Sequence, residues 1–358
     1  MAFCRKEILV LLVLAGALAP VAAGQSTYTI TGLGGLSGTH FASVTDLNNI
    51  GQVVGTSANH AFLWENGAMT DLGTLGGSLS AANAINDKGQ VVGESTTASG
   101  EKHAFLWDHG VMKDLGIPGE TSSAHGINSY GDIVGAISGK NLRGGAVLWK
   151  NGVRQALGDL GPSGSGSTAI AINDNGEVVG VSSGLASSSG GVVRAVMWQS
   201  AVIHDIGTLG GLHSTATAIN IGSQVVGWAE IADQSAAAFL FDNGVMHDLG
   251  MLPGGVAVPG SGSQAASVND NGQVVGLSLN SHSQSRAVIW DNGQIIDLNS
   301  AIPTVAGVAL TRATAINNQG QIVVEHQDNT TNSTASFLLT PRRRDPKGRG
   351  PRSVHDCG

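Results

Sequence analysis

Ala82-Asn83-Ala84-Ile85-Asn86-Asp87-Lys88-Gly89-Gln90-Val91-Val92-Gly93 is the stretch that decides the architecture of this chain. It reads as strand, tight turn, strand. Ala-x-Ala-Ile alternates small and bulkier side chains, as a half-buried strand does. Asn-Asp-x-Gly supplies residues that tolerate positive φ, the requirement of a tight hairpin. Gln-Val-Val-Gly is a β-branched run suited to a second strand. Ten residues on, His103-Ala104-Phe105-Leu106-Trp107 gives a third strand. Asp108-His109-Gly110 turns the chain, and Val111-Met112-Lys113-Asp114-Leu115-Gly116 gives a fourth.

The phrase recurs. The residue closing each second strand is Gly55, Gly93, Gly135, Gly180, Gly227, Gly276 or Val324, at spacings of 38 to 49 residues. The Asn that opens the turn recurs at 48, 86, 128, 173, 220, 269 and 317. Four strands in about 45 residues is the size of a propeller blade. The last copy stops after its third strand, Ala335-Ser336-Phe337-Leu338-Leu339. An unpartnered fourth-strand-like segment, Tyr28 to Gly35, stands near the start. It can complete the last blade and close the ring, removing free sheet edges. The expected fold is all-β: a seven-bladed β-propeller of four-stranded blades over residues 24–340.

His60-Ala61-Phe62-Leu63-Trp64, His103 to Trp107, Ala84-Ile85-Asn86-Asp87 and Asp71-Leu72-Gly73-Thr74-Leu75-Gly76-Gly77 together resemble the bacterial extracellular HAF-repeat family. The resemblance spans roughly residues 28 to 340. The His-Ala-Phe triplet itself stands in two copies; Gly145, Arg194, Ala237, Arg286 and Ala335 open the others. The resemblance implies an exported protein and transfers no catalytic residue.

Composition agrees. Glycine accounts for 53 of 358 residues, and charged residues for 12%. Without a collagen triplet, and beside β-branched runs, such glycine content fits many tight turns. Residues 1–23 read as a signal peptide: Arg5 and Lys6, an apolar core from Ile8 to Leu18, and small residues Val21-Ala22-Ala23 for cleavage. That run is short for a membrane span, and no second one follows. The cleaved chain is therefore expected to be secreted or periplasmic, without a membrane span, and monomeric. Cys4 would leave with the signal, and Cys357 would remain alone, so no internal disulfide is expected. The leader carries +1 and the Arg-rich stretch 341–358 carries +4, which leaves −13 of the total −8 on the body. An acidic body argues against nucleic acid as a partner. The stretch 341–358, apolar-poor and rich in Pro, Gly and Arg, is expected to be a disordered basic tail.

Most candidate motifs dissolve into the repeat. Asn173-Asp174-Asn175-Gly176 lacks the alternating acids and distal Glu of a calcium loop. Gly180-Val181-Ser182-Ser183-Gly184 has the spacing of a nucleophile elbow but no helix after it. The glycine-rich run 161–167 lacks the Lys of a phosphate loop. Asp71, Asp114, Asp205, Asp248 and Asp297 are equivalent and read as structural acceptors for turn backbone. Trp64, Trp107, Trp149, Trp198 and Trp290 read as wedges between blades. No cofactor motif is present.

Departures from the repeat mark the candidate ligand-binding residues. His125 stands where Asn83 does, Asp46 where Ala84 does, and Arg312 where Ala81 does. His40 and His213 precede first strands. Three histidines also raise the question of a metal. The function expected is a binding or interaction module for an extracellular glycan or protein, displayed on loops such as 74–80 and 208–214. The alternatives are a propeller hydrolase or lyase acting on glycans through unrepeated acids (Asp46, Glu94, Glu120, Glu230, Asp233), and a structural envelope protein.

Overall fold

The computed structural model describes residues 27–38, 42–139, 142–161, 166–187, 190–200, 202–305, 308–328 and 333–342. Seven four-stranded antiparallel sheets follow one another along the chain. Six are blades built in sequence order, spanning residues 43–71, 76–114, 120–156, 167–205, 210–248 and 263–297. The seventh pairs Arg312–Ile316, Ile322–Asp328 and Ser333–Pro341 with the N-terminal strand Tyr28–Gly32. Tyr28 lies opposite Pro341 and Gly32 opposite Phe337, so the chain start closes the ring as the repeat requires. The last strand runs one residue into the stretch read as tail, and the Arg342 amide donates to the Thr27 carbonyl. The leader and residues 343–358 lie outside the described residues.

Local chemistry sets each blade. In the hairpin joining strands three and four, Asn66 and Gly67 both have positive φ (50° and 87°), as a tight primed turn needs. The first hairpin is tied by its Asn. Asn86 Oδ1 accepts the Lys88 and Gln90 amides at 3.0 and 3.1 Å. The first strand is not the plain alternation its sequence suggests. A bulge occupies it in all seven blades, at Thr45, Asn83, His125, Ile170, Thr217, Ala266 and Thr314. The bulge brings the first-strand backbone against the second strand, which explains the recurrent glycine there. A Cβ on Gly93 would lie 1.9 Å from the Ala81 carbonyl oxygen, and one on Gly135 would lie 2.0 Å from that of Ser123.

The core is divided among the blade interfaces. Seven apolar clusters each draw on two adjacent blades. Trp64 packs with Ala315, Val323 and Leu338 of blade 7, and Trp149 with Ala84, Val92 and Ala104 of blade 2. Trp198 and Trp290 reach back in the same way. The tryptophans are the wedges expected, each contributing about 1.5–3 kcal/mol or more through burial. Phe241 and Leu339 take this place in blades 5 and 7.

Candidate functional site

Much of the repeated polar chemistry is spent on holding blades together. Each turn Asn also donates through Nδ2 to the backbone oxygen of the next blade's Asn. The chain of bonds runs 48, 86, 128, 173, 220, 269, 317 and back to 48, at 3.0–3.3 Å. This closed ring of seven buried asparagines rims one end of the central channel. A second seam lies farther out. In blades 1 to 5 a buried Ala of strand three donates its amide to a serine of the next blade, as Ala61 to Ser80 and Ala104 to Ser122 at 2.9 Å; in blade 6 Ala287 donates to the Leu310 carbonyl instead. Sequence reasoning missed these serines, although Ser80, Ser122, Ser167, Ser214 and Ser263 each stand six residues before the turn Asn. The repeated aspartates do accept turn amides: Asp71 from Gly73, Asp114 from Gly116, Asp205 from Gly207, at 2.8 Å. Their second role was not foreseen. Asp71 and Asp114 also hold the His of the His-Ala-Phe triplet, Nδ1 to Oδ2 at 2.8 and 2.9 Å. Asp205 holds Arg194 at 3.1 Å.

Of the departures from the repeat, Asp46 and His125 border one channel cavity, whereas Arg312 borders a separate one and His213 borders neither. Asp46 faces the channel end, a cavity of about 450 Å³ bounded by the seven turns. Its carboxylate accepts the Leu47 amide and, across the blade boundary, the Ile85 amide, at 2.9 and 3.0 Å. Burial pushes this carboxyl up to about 7, against the lowering effect of those two amides. His125 is the bulge residue of blade 3. Its Nδ1 pairs with the Ala169 carbonyl of blade 4 at 2.9 Å, as Asn83 Nδ2 pairs with that of Ala124 at 2.8 Å. Burial lowers its pKa, against the raising effect of the bond to Ala169. His213 accepts the Val193 amide at Nδ1. Arg312 lies on the far side of the ring, between blades 6 and 7. His40 is outside the described residues. Among the described residues no group of three metal-ligating side chains forms.

The blade-connecting stretches are not free loops. Residues 76–80 and 210–214 extend the first strands outward to pair with Thr97 and Ile231. Thr96 Oγ1 accepts the Ser78 and Leu79 amides, and Glu230 accepts those of Leu212 and His213. The other unrepeated acids are also engaged: Glu94 with Lys102, Glu120 with Arg154, Asp233 with Ser235. None of the four principal cavities is lined by two of those five acids. Ser182 sits within a continuous strand, Val178–Ser187, with its hydroxyl accepting the Leu160 amide, so no nucleophile elbow forms.

Three cavities open at the end of the ring opposite the asparagines, where first strands begin and second strands end. One, about 590 Å³, spans blades 2 to 4 and holds Glu94, Lys102 and His125. A smaller one, about 220 Å³, lies between blades 1 and 2 beside the same Glu94 and Lys102. The largest, about 810 Å³, lies between blades 6 and 7 and holds Arg286, Arg312, Glu325 and His326. Hydroxyl and amide side chains make up much of its remaining wall.

This architecture defines a closed seven-bladed propeller. No protein-family model matches the chain, and no curated protein matches it in sequence. Solved structures resemble it in fold. An oligogalacturonate lyase in complex with manganese superposes with a TM-score of 0.51 at 12% identity, covering 82% of this chain and 86% of its own. A puromycin-hydrolyzing peptidase of Mycobacterium tuberculosis gives 0.50 at 11%, covering 84% of this chain and 51% of its own. TolB from Acinetobacter baumannii gives 0.41 at 11%, covering 85% and 82%. At these identities the likeness concerns the fold alone. Among the described residues no helix is long and apolar enough to cross a membrane.

Proposed function

We propose that this chain is an exported binding module of the HAF-repeat type. It recognises an extracellular polysaccharide at the end of the ring where the first strands begin. The observation that carries this reading is the division of labour between the two ends. The asparagine end is a lattice of bonds between blades, and its unrepeated Asp46 is spent on the Leu47 and Ile85 amides. The opposite end bears unrepeated polar residues in open cavities walled by hydroxyl and amide groups, the chemistry that matches sugar hydroxyls. Export rests on the leader: a basic start, a short apolar core and a small-residue cleavage stretch. The engagement of Glu94, Glu120, Glu230 and Asp233 in ion pairs and backbone caps favours binding over glycoside hydrolysis, which needs two facing carboxyl groups. A glycan-array screen of the purified protein, with and without calcium, tests it. Reproducible capture of one polysaccharide class is expected. Binding to no glycan refutes the proposal, and hydrolysis of a bound glycan favours the enzyme reading instead.

A further inference from the structure

Blades 4 and 6 carry the same motif with opposite outcomes. Arg194 and Arg286 occupy the place that His60 and His103 fill elsewhere. Arg194 is neutralised: its Nε lies 3.1 Å from Asp205 Oδ2, and its Nη1 donates to the Leu212 carbonyl. The equivalent partner of Arg286 is Asp297. In blade 6 that carboxylate caps the short helix Leu298–Ser300, and its Oδ1 accepts both the amide and the Nδ2 of Asn299, at 2.9 and 2.8 Å. Arg286 forms no ion pair with it. Its Nε is enclosed without a hydrogen-bond partner, and its Nη2 donates to the neutral Gln284 Oε1 at 2.9 Å.

Arg286 borders the 810 Å³ cavity together with a second arginine. Arg312 stands where other blades place Ser43, Ala81, Ser123, Thr168, Thr215 or Gln264, and it is exposed. Its neighbour across the strands is Glu325. That carboxylate is drawn toward blade 1, accepting the Ser43 hydroxyl at 3.0 Å and the Val44 amide at 3.4 Å, and it forms no ion pair with Arg312. Two guanidinium groups thus share a cavity with one carboxylate already engaged elsewhere. On a body of net charge −13 this is a local positive site, without which an anionic ligand would be repelled. Guanidinium pairs with carboxylate through two parallel hydrogen bonds. Ser283, Ser285, Thr311, Gln327 and Thr334 supply the rest of the polar wall, which fits a ligand rich in hydroxyls.

The geometry points to a binding site between blades 6 and 7 for an acidic saccharide, held by its uronate carboxylate on Arg312 and Arg286. The saccharide part of this inference rests on the polysaccharide reading above; the arginine pair specifies the charge. The test is titration calorimetry of the full protein with tetragalacturonate and with its fully methyl-esterified form. The acid should bind at least about tenfold more tightly than the ester, the worth of one charge-assisted hydrogen bond. Arg312→Gln, at an exposed position, should weaken the acid about tenfold or more while leaving the melting temperature unchanged. Arg194→Gln, outside the cavity, should leave the affinity as it is. Equal affinity for acid and ester overturns recognition of the charge while leaving the polysaccharide reading intact. Unchanged affinity in Arg312→Gln places the site elsewhere and overturns the assignment. Binding of neither probe overturns it too, and a positive glycan array would show that the broader reading survives.

Discussion

The asparagine ring makes a demanding prediction, because the same side chain closes a turn and joins two blades. Asn86 makes four hydrogen bonds. Oδ1 accepts two amides, and Nδ2 donates to the Asn128 carbonyl at 3.0 Å and to Gln90 Oε1 at 2.9 Å. At roughly 0.5–1.5 kcal/mol net for each bond, Asn86→Ala should lower the unfolding free energy by about 2–6 kcal/mol. Asn86→Asp separates the two roles. It keeps both acceptor bonds but loses the donation to Gln90, whose amide cannot flip to compensate without giving up its own bond to Asp108 at 3.2 Å. The contact with Asn128 cannot be repaired while the new carboxyl is charged, since two oxygens then face each other. Its pKa in the folded protein must therefore rise above the unfolded value of about 3.9. The folded state then binds the proton more tightly, so stability is lost as pH rises through the folded pKa and regained as pH falls through it. Urea unfolding of wild type, Asn86→Ala and Asn86→Asp at pH 8 and pH 5 provides the measurement. Relative to wild type, Asn86→Asp should recover on acidification and Asn86→Ala should not. A loss below about 0.5 kcal/mol in both variants, or a pH response in Asn86→Asp no different from wild type, would mean that the ring does not hold the blades together.

Asp46 gives a second pH signature of the same sign. With its carboxyl raised from 3.8 to about 7, stability should fall as pH rises from about 4 to 7, by up to about 4 kcal/mol before channel water reduces it. Asp46→Asn should remove that slope, and an unchanged slope in thermal melts across this range refutes the assignment. His125 works in the opposite sense: its lowered pKa costs stability as pH falls through the unfolded value of about 6.5, and its imidazole should titrate below that value by NMR. Gly93→Ala places a Cβ 1.9 Å from the Ala81 oxygen and should cost about 1–3 kcal/mol in urea unfolding. Deleting Tyr28–Gly32 exposes the edge of the Ser333–Pro341 strand and should yield concentration-dependent oligomers in light scattering. A monomer with unaltered stability would refute the closure role.

The fold was legible because the repeat writes local rules seven times over. Turn residues, β-branched runs and the Trp at the end of strand three each declare themselves within a few residues, and the missing last strand pointed to the closure by Tyr28. The bonds that join blades were less legible because they link positions one repeat apart. The recurrence of Asn86 was visible as a turn signal. That its Nδ2 reaches Asn128 follows only once the blades are placed side by side. Contacts at shorter separations were also hidden: the second role of Asp114, eleven residues from His103 on the neighbouring strand of one blade, and the partnership of Ala104 with Ser122, eighteen residues on in the next. The candidate site suffered most. His125, Asp46 and Arg312 were singled out for breaking the repeat, yet breaking the repeat does not say which end of a strand a residue occupies. His125 fills the bulge position and bonds to the next blade as Asn83 does. Asp46 faces the asparagine end, and Arg312 the other. In the sequence Arg286, like Arg194, is only one of five variants of the triplet's first residue.

That pair shows where specificity enters a structure built from copies. A polar group needed in every blade is matched in every blade, and its charge is cancelled where the motif is complete. His60, His103 and Arg194 all meet their aspartate. In blades 1, 2 and 4 a glycine two residues beyond the aspartate offers only a backbone amide to it. In blade 6 that place belongs to Asn299, whose side chain adds a second donor to the aspartate and also reaches the Leu310 carbonyl at 3.0 Å. One residue thus draws the carboxylate into a helix cap and leaves the arginine to the cavity. Asn299→Gly should reverse this: Asp297 regains the environment of Asp205, Arg286 regains an ion-pair partner, and the affinity of the cavity for a uronate falls. If Asn299→Gly leaves uronate affinity untouched, the availability of Arg286 does not depend on this cap.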